Sequence, residues 1–420
     1  MSAPPLDQRV AVTGLGVVSP LGIGVDATWA GATAGVSAAG PITLYDPSET
    51  HTTIACEVKD FEPGDHMPSR IARRMERFAQ FGVAAARMAL EDAGLSLDGA
   101  ARDRAGAIVG SGIGGLRSFE VQSEIMAERG PTRLSPLFIP LMIANMGAAQ
   151  ISMELGLRGP LSCVCTACAS GNHAIGDAAA AIRRGDADVM FAGGAEATIT
   201  QIGIGAFNAM RALSTRNDDP EAASRPFDAD RDGFVMGEGA GLLLLERMDQ
   251  AVARDAEIYC ELVGYGATGD AHHLTEPDPT GEAPARAMTM ALERAGVTPE
   301  EVGYVNAHAT ATPVGDTSEL AVLRMALGDA AATTPVSSTK SMHGHCLGAA
   351  GGIEGVLTVK AMKEGLIPPT INLDNLDPDC EGVDHVANEA RPATVDVAVS
   401  NGFGFGGHNA VIVMRRAEDA

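Results

Sequence analysis

The stretch 163-CVCTACASG-171 gathers Cys163, Cys165 and Cys168, and such a run can ligate a metal, form a disulfide or supply a nucleophile. Zinc fits poorly. C-x-C-x-x-C lacks the second pair that structural zinc sites draw from another knuckle, and His173 adds only one further donor. Seven cysteines, an odd number, scattered over 420 residues are unlike the dense even set of a small secreted scaffold, so free thiols are expected. Cys163 and Cys165 fall in what reads as a buried strand, where cysteine serves as a small core hydrophobe. Cys168 differs because it stands between that strand and a helix. At a helix N-terminus the macrodipole and the free N–H groups favour a thiolate and offer donors to an oxyanion formed beside it.

A nucleophilic thiol needs a basic or hydrogen-bonding partner, usually histidine. His51, His66, His272, His273 and His385 lie in polar, loop-like stretches and read as surface residues. His308 ends the apolar run in VNAHATATPVGD, and His345 stands at a helix mouth in TKSMHGHCLGAAGG. Lys340, five residues before His345 among small residues, should be buried and therefore needs carboxylate partners. Asp316, Glu319 and Glu354 are available, as catalytic support or as a structural ion network. The glycines of 402-GFGFGGHN-409, around Phe403 and Phe405, let a backbone approach a substrate closely and present N–H donors.

These residues must be held by an α/β framework. Apolar runs such as RVAVTGLGVV (9–18), AGAIVGSG (105–112), ADVMFAGGAEA (187–197), AGLLLLER (240–247), IYCELVGYG (258–266), VGYVNAHAT (302–310) and VDVAVSNGFGFGG (395–407) read as strands. They alternate with alanine-rich helical runs, most of which end at glycine. MALEDAGL (88–95) recurs as MALERAGV (290–297), each followed by a strand. CASGNHAIGDAAAAIRRG and GHCLGAAGGIEGVLTVKAMKEG also match as helices opening on a small-residue turn. Two similar alanine-rich helices can arise by chance, but the parallel order of several elements favours duplication, with the seam near 250–257. Two helix mouths facing across a pseudo-dyad would bring Cys168 and His345 to one pocket.

DADRDG (228–233) begins like a calcium loop, but its twelfth position is Gly239, with Glu238 one place off. GLGVVS and GSGIGG do not complete a dinucleotide-binding loop. Neither calcium nor a nicotinamide cofactor is expected. With 45% hydrophobic residues and no apolar stretch near the length of a membrane span, the chain reads as a globule of the cytoplasm. A formal charge of −24 argues against nucleic acid and makes any arginine cluster informative.

With Cys168 in TACASG, His308 in VNAHATATPVGD, Lys340 and His345 in STKSMHGHCLGAAGG, and NGFGFGGHN near the end, the sequence resembles a β-ketoacyl-acyl carrier protein synthase of the type II elongating kind. The resemblance runs over almost the whole chain. It implies the thiolase-like α/β fold, five layers αβαβα built from two duplicated halves, and usually a homodimer. The halves would be residues 8–253, carrying the cysteine, and 254–417, carrying the two histidines. The implied reaction is an acyl transfer of fatty acid biosynthesis, the decarboxylative condensation of malonyl-carrier with an acyl chain on Cys168. His308 and His345 would bind the malonyl carbonyl, and Lys340 would support them within a network of Asp316, Glu319 and Glu354. The N–H groups of Cys168 and Phe405 would form the oxyanion hole. Thr310 and Thr312 would hold the pantetheine arm, Phe405 would gate the acyl pocket beside Phe403, and Ile113 would line its end. No metal or organic cofactor is implied, because phosphopantetheine arrives on the carrier.

Such enzymes commonly read H-G-T where this chain has His308-Ala309-Thr310, a change tolerable if φ at Ala309 is negative. Carrier proteins are acidic, and the family docks them with basic residues. Arg70, Arg73, Arg74 and Arg77 are spaced to share one face if SRIARRMERFAQFG is helical, so they read as a docking patch, joined by Arg133 and Arg211, or else as a solvated helix face. The alternatives are a ketosynthase of an aromatic polyketide system, a thiolase, a zinc-binding interaction protein using CVCTAC and HGH, and a cysteine hydrolase.

Overall fold

A computed structural model describes residues 5–417. The first half supplies strands β1 (Val10–Ser19), β2 (Ala105–Gly110), β3 (Leu161–Val164), β4 (Val189–Glu196) and β5 (Gly239–Arg247). The second supplies β6 (Cys260–Gly269), β7 (Tyr304–Asn306), β8 (Pro335–Ser337), β9 (Val397–Gly404) and β10 (His408–Arg415). Along the sheet the first half runs β3-β2-β4-β5-β1 and the second β8-β7-β9-β10-β6. In each half the first strand is at the seam; the third is outermost in the first half, whereas in the second a short strand, Asp384–His385, pairs in parallel outside β8. The parallel and antiparallel pairings match as well. β1 meets β6 only at Ala11–Glu261 and Val12–Cys260, so the two sheets join through a short antiparallel bridge.

Helices complete five layers. Helix α1 (Arg77–Asp92) covers β1 and β5 on the outer side, with α2 (Met146–Leu155) against it. Helix α4 (Glu282–Ala295) covers β6 and β10, with α5 (Pro313–Leu327) beside it. Between the sheets lie α3 (Ser170–Arg183) and α6 (Ala350–Glu364), each touching strands of both halves. This position buries α6 on every face, with every residue from Ala350 to Met362 buried, Glu354 and Lys360 included. The two central helices cross glycine on glycine. A Cβ on Gly171 would lie 2.8 Å from the Gly352 nitrogen, and one on Gly351 would lie 2.0 Å from Asn172 Oδ1. Only glycine lets the two N-termini, and the turns before them, come this close.

Two expectations need correction. SRIARRMERFAQFG is two helices, Ser69–Ala72 and α1, broken at Arg73–Glu76, so the four arginines do not share one face. Cys163 and Cys165 are not core residues: β3 is an edge strand, Cys163 is half-buried and Cys165 exposed. The helix after His308 begins at Pro313, where the missing N–H costs nothing. The calcium-like segment is scaffold. Its Asp228 pairs with Arg225 at 2.9 Å and accepts the Asp374 and Asn375 N–H groups.

Candidate active site

Cys168 occupies a sharp turn between β3 and α3, with Ala167 at φ +49°. Ser170 locks that turn: its hydroxyl donates to the Ala167 carbonyl at 2.6 Å and accepts the Thr166 N–H at 2.9 Å. The thiol is 8% exposed. Backbone N–H groups of Phe405, at the end of β9, and of Cys168 itself reach the sulfur. Burial nonetheless pushes the thiol up to about 12, against the Lys340 charge and those N–H donors. The helix end therefore does not win alone, and the resting residue is a thiol rather than the thiolate expected from its place in the sequence.

His345 precedes the turn that opens α6, and its N–H is pinned to the Val235 carbonyl at 2.7 Å. Its Nε2 lies 2.9 Å from Cys168 Sγ. His308 follows β7, and its ring meets His345 edge-on, centroids 5.4 Å apart. Burial holds both imidazoles well below the usual histidine range, helped by the Lys340 charge and a neighbouring ring, so both are neutral. Lys340 is fully buried on the short helix Lys340–His343 and pairs with Glu354 of α6. Burial raises the Glu354 carboxyl to about 7 against the pull of Lys340.

The other two carboxylates divide the work. Glu319 of α5 accepts the N–H groups of His308 and Ala309, at 2.8 and 2.6 Å, and the Asn401 amide at 2.9 Å. Asp316 belongs elsewhere than the Lys340 network. It accepts the Phe227, Thr310 and Ala311 N–H groups at 2.9, 3.0 and 3.1 Å and faces Arg231 at 3.7 Å, so it braces the 310–312 turn. Burial raises its carboxyl to about 7. Ala309 is absent from the left-handed region that its neighbour Ala311 occupies at φ +68°, and its extra methyl is accommodated.

Cys168, His308 and His345 open onto a cavity of about 740 Å³. Ile113, Phe207, Leu347, Phe403 and Phe405 form apolar wall, and Thr310, Thr312 and Arg211 also line it. The Thr310 and Thr312 hydroxyls are 3.1 Å apart. Phe405 faces Phe207 at 6.3 Å, and Phe403 faces His308 at 5.7 Å. Arg70, Arg73, Arg74, Arg133 and Arg211 are exposed. Arg77 is not a free cation: it grips Glu238 at 2.7 Å, donates to the Val58 carbonyl and stacks over Phe81.

The donor atoms of Cys168, His308 and His345 lie within 4.8 Å of one another, the only such His/Cys/Asp/Glu group among the described residues. The zinc alternative needed CVCTAC and HGH together, yet Cys163, Cys165 and His343 stand outside the group. Cys165 Sγ points to the Gly112 carbonyl and His343 Nε2 to Thr339 Oγ1. Two supporting residues escaped the sequence reading, Asn401 beneath Glu319 and Glu196 at the end of β4. A charged residue closing the apolar run VMFAGGAE was the available signal for Glu196.

The chain matches the beta-ketoacyl synthase N-terminal domain over residues 7–251 and the C-terminal domain over 259–374. It belongs to the beta-ketoacyl synthase family. As a beta-ketoacyl synthase it is an acyltransferase-class condensing enzyme of the thiolase-like fold. It is 48% identical to a 3-oxoacyl-[acyl-carrier-protein] synthase 2 of Staphylococcus aureus (strain N315), covering 98% of this chain and 99% of that one. The solved ishigamide ketosynthase/chain length factor superposes with a TM-score of 0.91 at 38% identity, over 98% and 99% of the two chains. A type II PKS ketosynthase, solved bound to the hexaketide in complex with its acyl-carrier protein, superposes with a TM-score of 0.90 at 33% identity, over 98% and 99%. Among the described residues of this beta-ketoacyl synthase, no helix is long and apolar enough to cross a membrane.

Proposed function

We propose that this chain elongates fatty acyl chains by decarboxylative condensation, with Cys168 as nucleophile and His308 and His345 as donors to the malonyl thioester. One observation carries these roles: a thiol and two neutral imidazoles converge within 4.8 Å on a cavity that Ile113, Phe207, Leu347, Phe403 and Phe405 wall with apolar side chains. The 48% identity to a 3-oxoacyl-[acyl-carrier-protein] synthase 2, against 33% to a type II PKS ketosynthase, favours fatty acyl elongation over polyketide assembly.

In the first half-reaction the Cys168 sulfur attacks the acyl thioester carbonyl of a loaded carrier. The carbon–sulfur bond to pantetheine breaks, and the cysteine proton leaves on the pantetheine thiol. The tetrahedral oxyanion sits against the N–H groups of Cys168 and Phe405. In the second, malonyl-carrier loses CO2, and the electron pair of the broken bond becomes an enolate. Neutral imidazoles suit this step, because each donates an N–H without needing an acid of its own. Lys340 adds a fixed positive charge behind them. The enolate carbon attacks the Cys168 thioester, and Cys168 departs and regains a proton from solvent. Neither a metal nor an organic cofactor enters these steps.

The partner is an acyl carrier protein, met by Arg70, Arg73, Arg74, Arg133 and Arg211. These are exposed cations on a chain of net charge −24, suited to an acidic partner. The chain is also read as a homodimer. The free edge of β3 carries Leu161, 46% exposed, on a molecule whose other exposed apolar side chains include Met153 at 62% and Ile139 at 55%. Unpaired edges and apolar patches of this kind are normally covered. Incubating the protein with acyl-carrier and reading its intact mass tests the assignment: a thioester adduct on wild type that Cys168→Ala lacks supports it, and an adduct on both overturns it.

A further inference from the structure

Glu196 is the last residue of β4, is wholly buried, and makes no ion pair among the described residues. Its carboxylate is satisfied by the chain around it. It accepts the Ser111 hydroxyl at 3.0 Å and the N–H groups of Gly112, Ile113 and Gly114 at 2.6, 3.3 and 3.3 Å. A further N–H comes from Gly348 at 3.1 Å. The first four donors form the turn that presents Ile113 to the cavity. Gly348 follows Leu347, which lines the same cavity. The turns touch directly, since a Cβ on Gly348 would lie 2.3 Å from the Gly112 nitrogen and 2.7 Å from Glu196 Oε2.

We propose that Glu196 is a positioning residue for acyl specificity: by clamping the Ser111–Gly114 turn to the Leu347–Gly348 turn, it fixes the wall that Ile113 and Leu347 give the cavity and so the length of chain that Cys168 can carry. The proposal rests on the condensing function above. A glutamine has the same shape but turns one end of the clamp into an N–H donor facing other N–H donors. The turns then lose one of their two acceptor oxygens, and Ile113 and Leu347 are free to relax into the space a long chain needs. A short chain that stops before this wall is unaffected.

The test compares wild type, Glu196→Gln and Ser111→Ala for transfer of butyryl and palmitoyl groups from their carriers to Cys168, alongside Cys168 alkylation by iodoacetamide. Glu196→Gln is expected to lower kcat/KM for palmitoyl by about tenfold relative to butyryl, the loss of one strong hydrogen bond to a charged group. Alkylation should stay at the wild-type rate, and Ser111→Ala should shift the ratio in the same direction by less. An unchanged ratio in both variants, or equal losses on both acyl groups, overturns the proposal. If Glu196→Gln does not fold, Ser111→Ala decides alone by the same ratio. Wild type that acylates while the ratios stay constant defeats this inference only, whereas wild type that never acylates Cys168 defeats the condensing function beneath it.

Discussion

The Nε2 atom of His345 lies 2.9 Å from the sulfur of Cys168, although 177 positions of sequence separate them. Each stands before one of the two central helices, and the glycine crossing of α3 and α6 brings the two turns together. The duplicated fold thus builds one pocket from the same place in its two halves, with a thiol from one and an imidazole from the other.

Burial sets the reactivity of that thiol. Because it is raised to about 12, the thiolate fraction of Cys168 grows about tenfold with each pH unit across the neutral and mildly alkaline range. Iodoacetamide labelling of the Cys168 peptide, followed by mass spectrometry, should climb without a plateau through about pH 10. A plateau near neutrality would show an ion pair with His345 instead.

Both active-site imidazoles are held below their ordinary range, and the neutral form is the one that donates to the enolate. That form persists as pH falls through the unperturbed histidine value of about 6.5. Malonyl-carrier decarboxylation by Cys168→Gln should therefore hold its rate across that value and fail only at lower pH. A sigmoid loss centred on the unperturbed value would contradict the buried, neutral pair.

Removing the positive charge of Lys340 leaves Glu354 buried and unpaired. Lys340→Met should cost about 3–5 kcal/mol in urea unfolding, and Lys340→Met/Glu354→Leu should recover most of it. Equal stability of the single and double variants would show that the pair does not carry the charge balance of the site.

The arginines separate by environment. Arg73→Glu/Arg74→Glu should raise KM for carrier substrates several-fold, most at low salt, with Cys168 alkylation unchanged. Arg77→Ala should instead lower the urea midpoint, because Glu238, 1% exposed, loses its cation. Identical carrier kinetics in the charge-reversed variant would remove the docking patch.

Much of this was legible in the sequence because it is local. A cysteine before a small-residue helix, a histidine closing an apolar run and the MALEDAG/MALERAG repeat lie within short windows. What was hidden depends on distant pairing. Arg77 looked like one member of a stripe until Glu238, 161 positions away, drew it inward. Asp316 stood beside Glu319 in the chain but turned to the 310–312 backbone rather than to Lys340. Cys163 and Cys165 read as core because apolarity does not reveal that β3 is an edge. Glu196 draws its donors from 82 to 152 positions away, beyond any local pattern.

The most direct measurement is condensation itself, with radiolabelled malonyl-carrier and acyl-carrier supplied to wild type, Cys168→Ala and Cys168→Gln, and CO2 and β-ketoacyl product followed together. Wild type should release CO2 and form the product, and both variants should lose product formation. Product from either variant, or neither CO2 nor product from wild type, would contradict Cys168 as the nucleophile of a decarboxylative condensation.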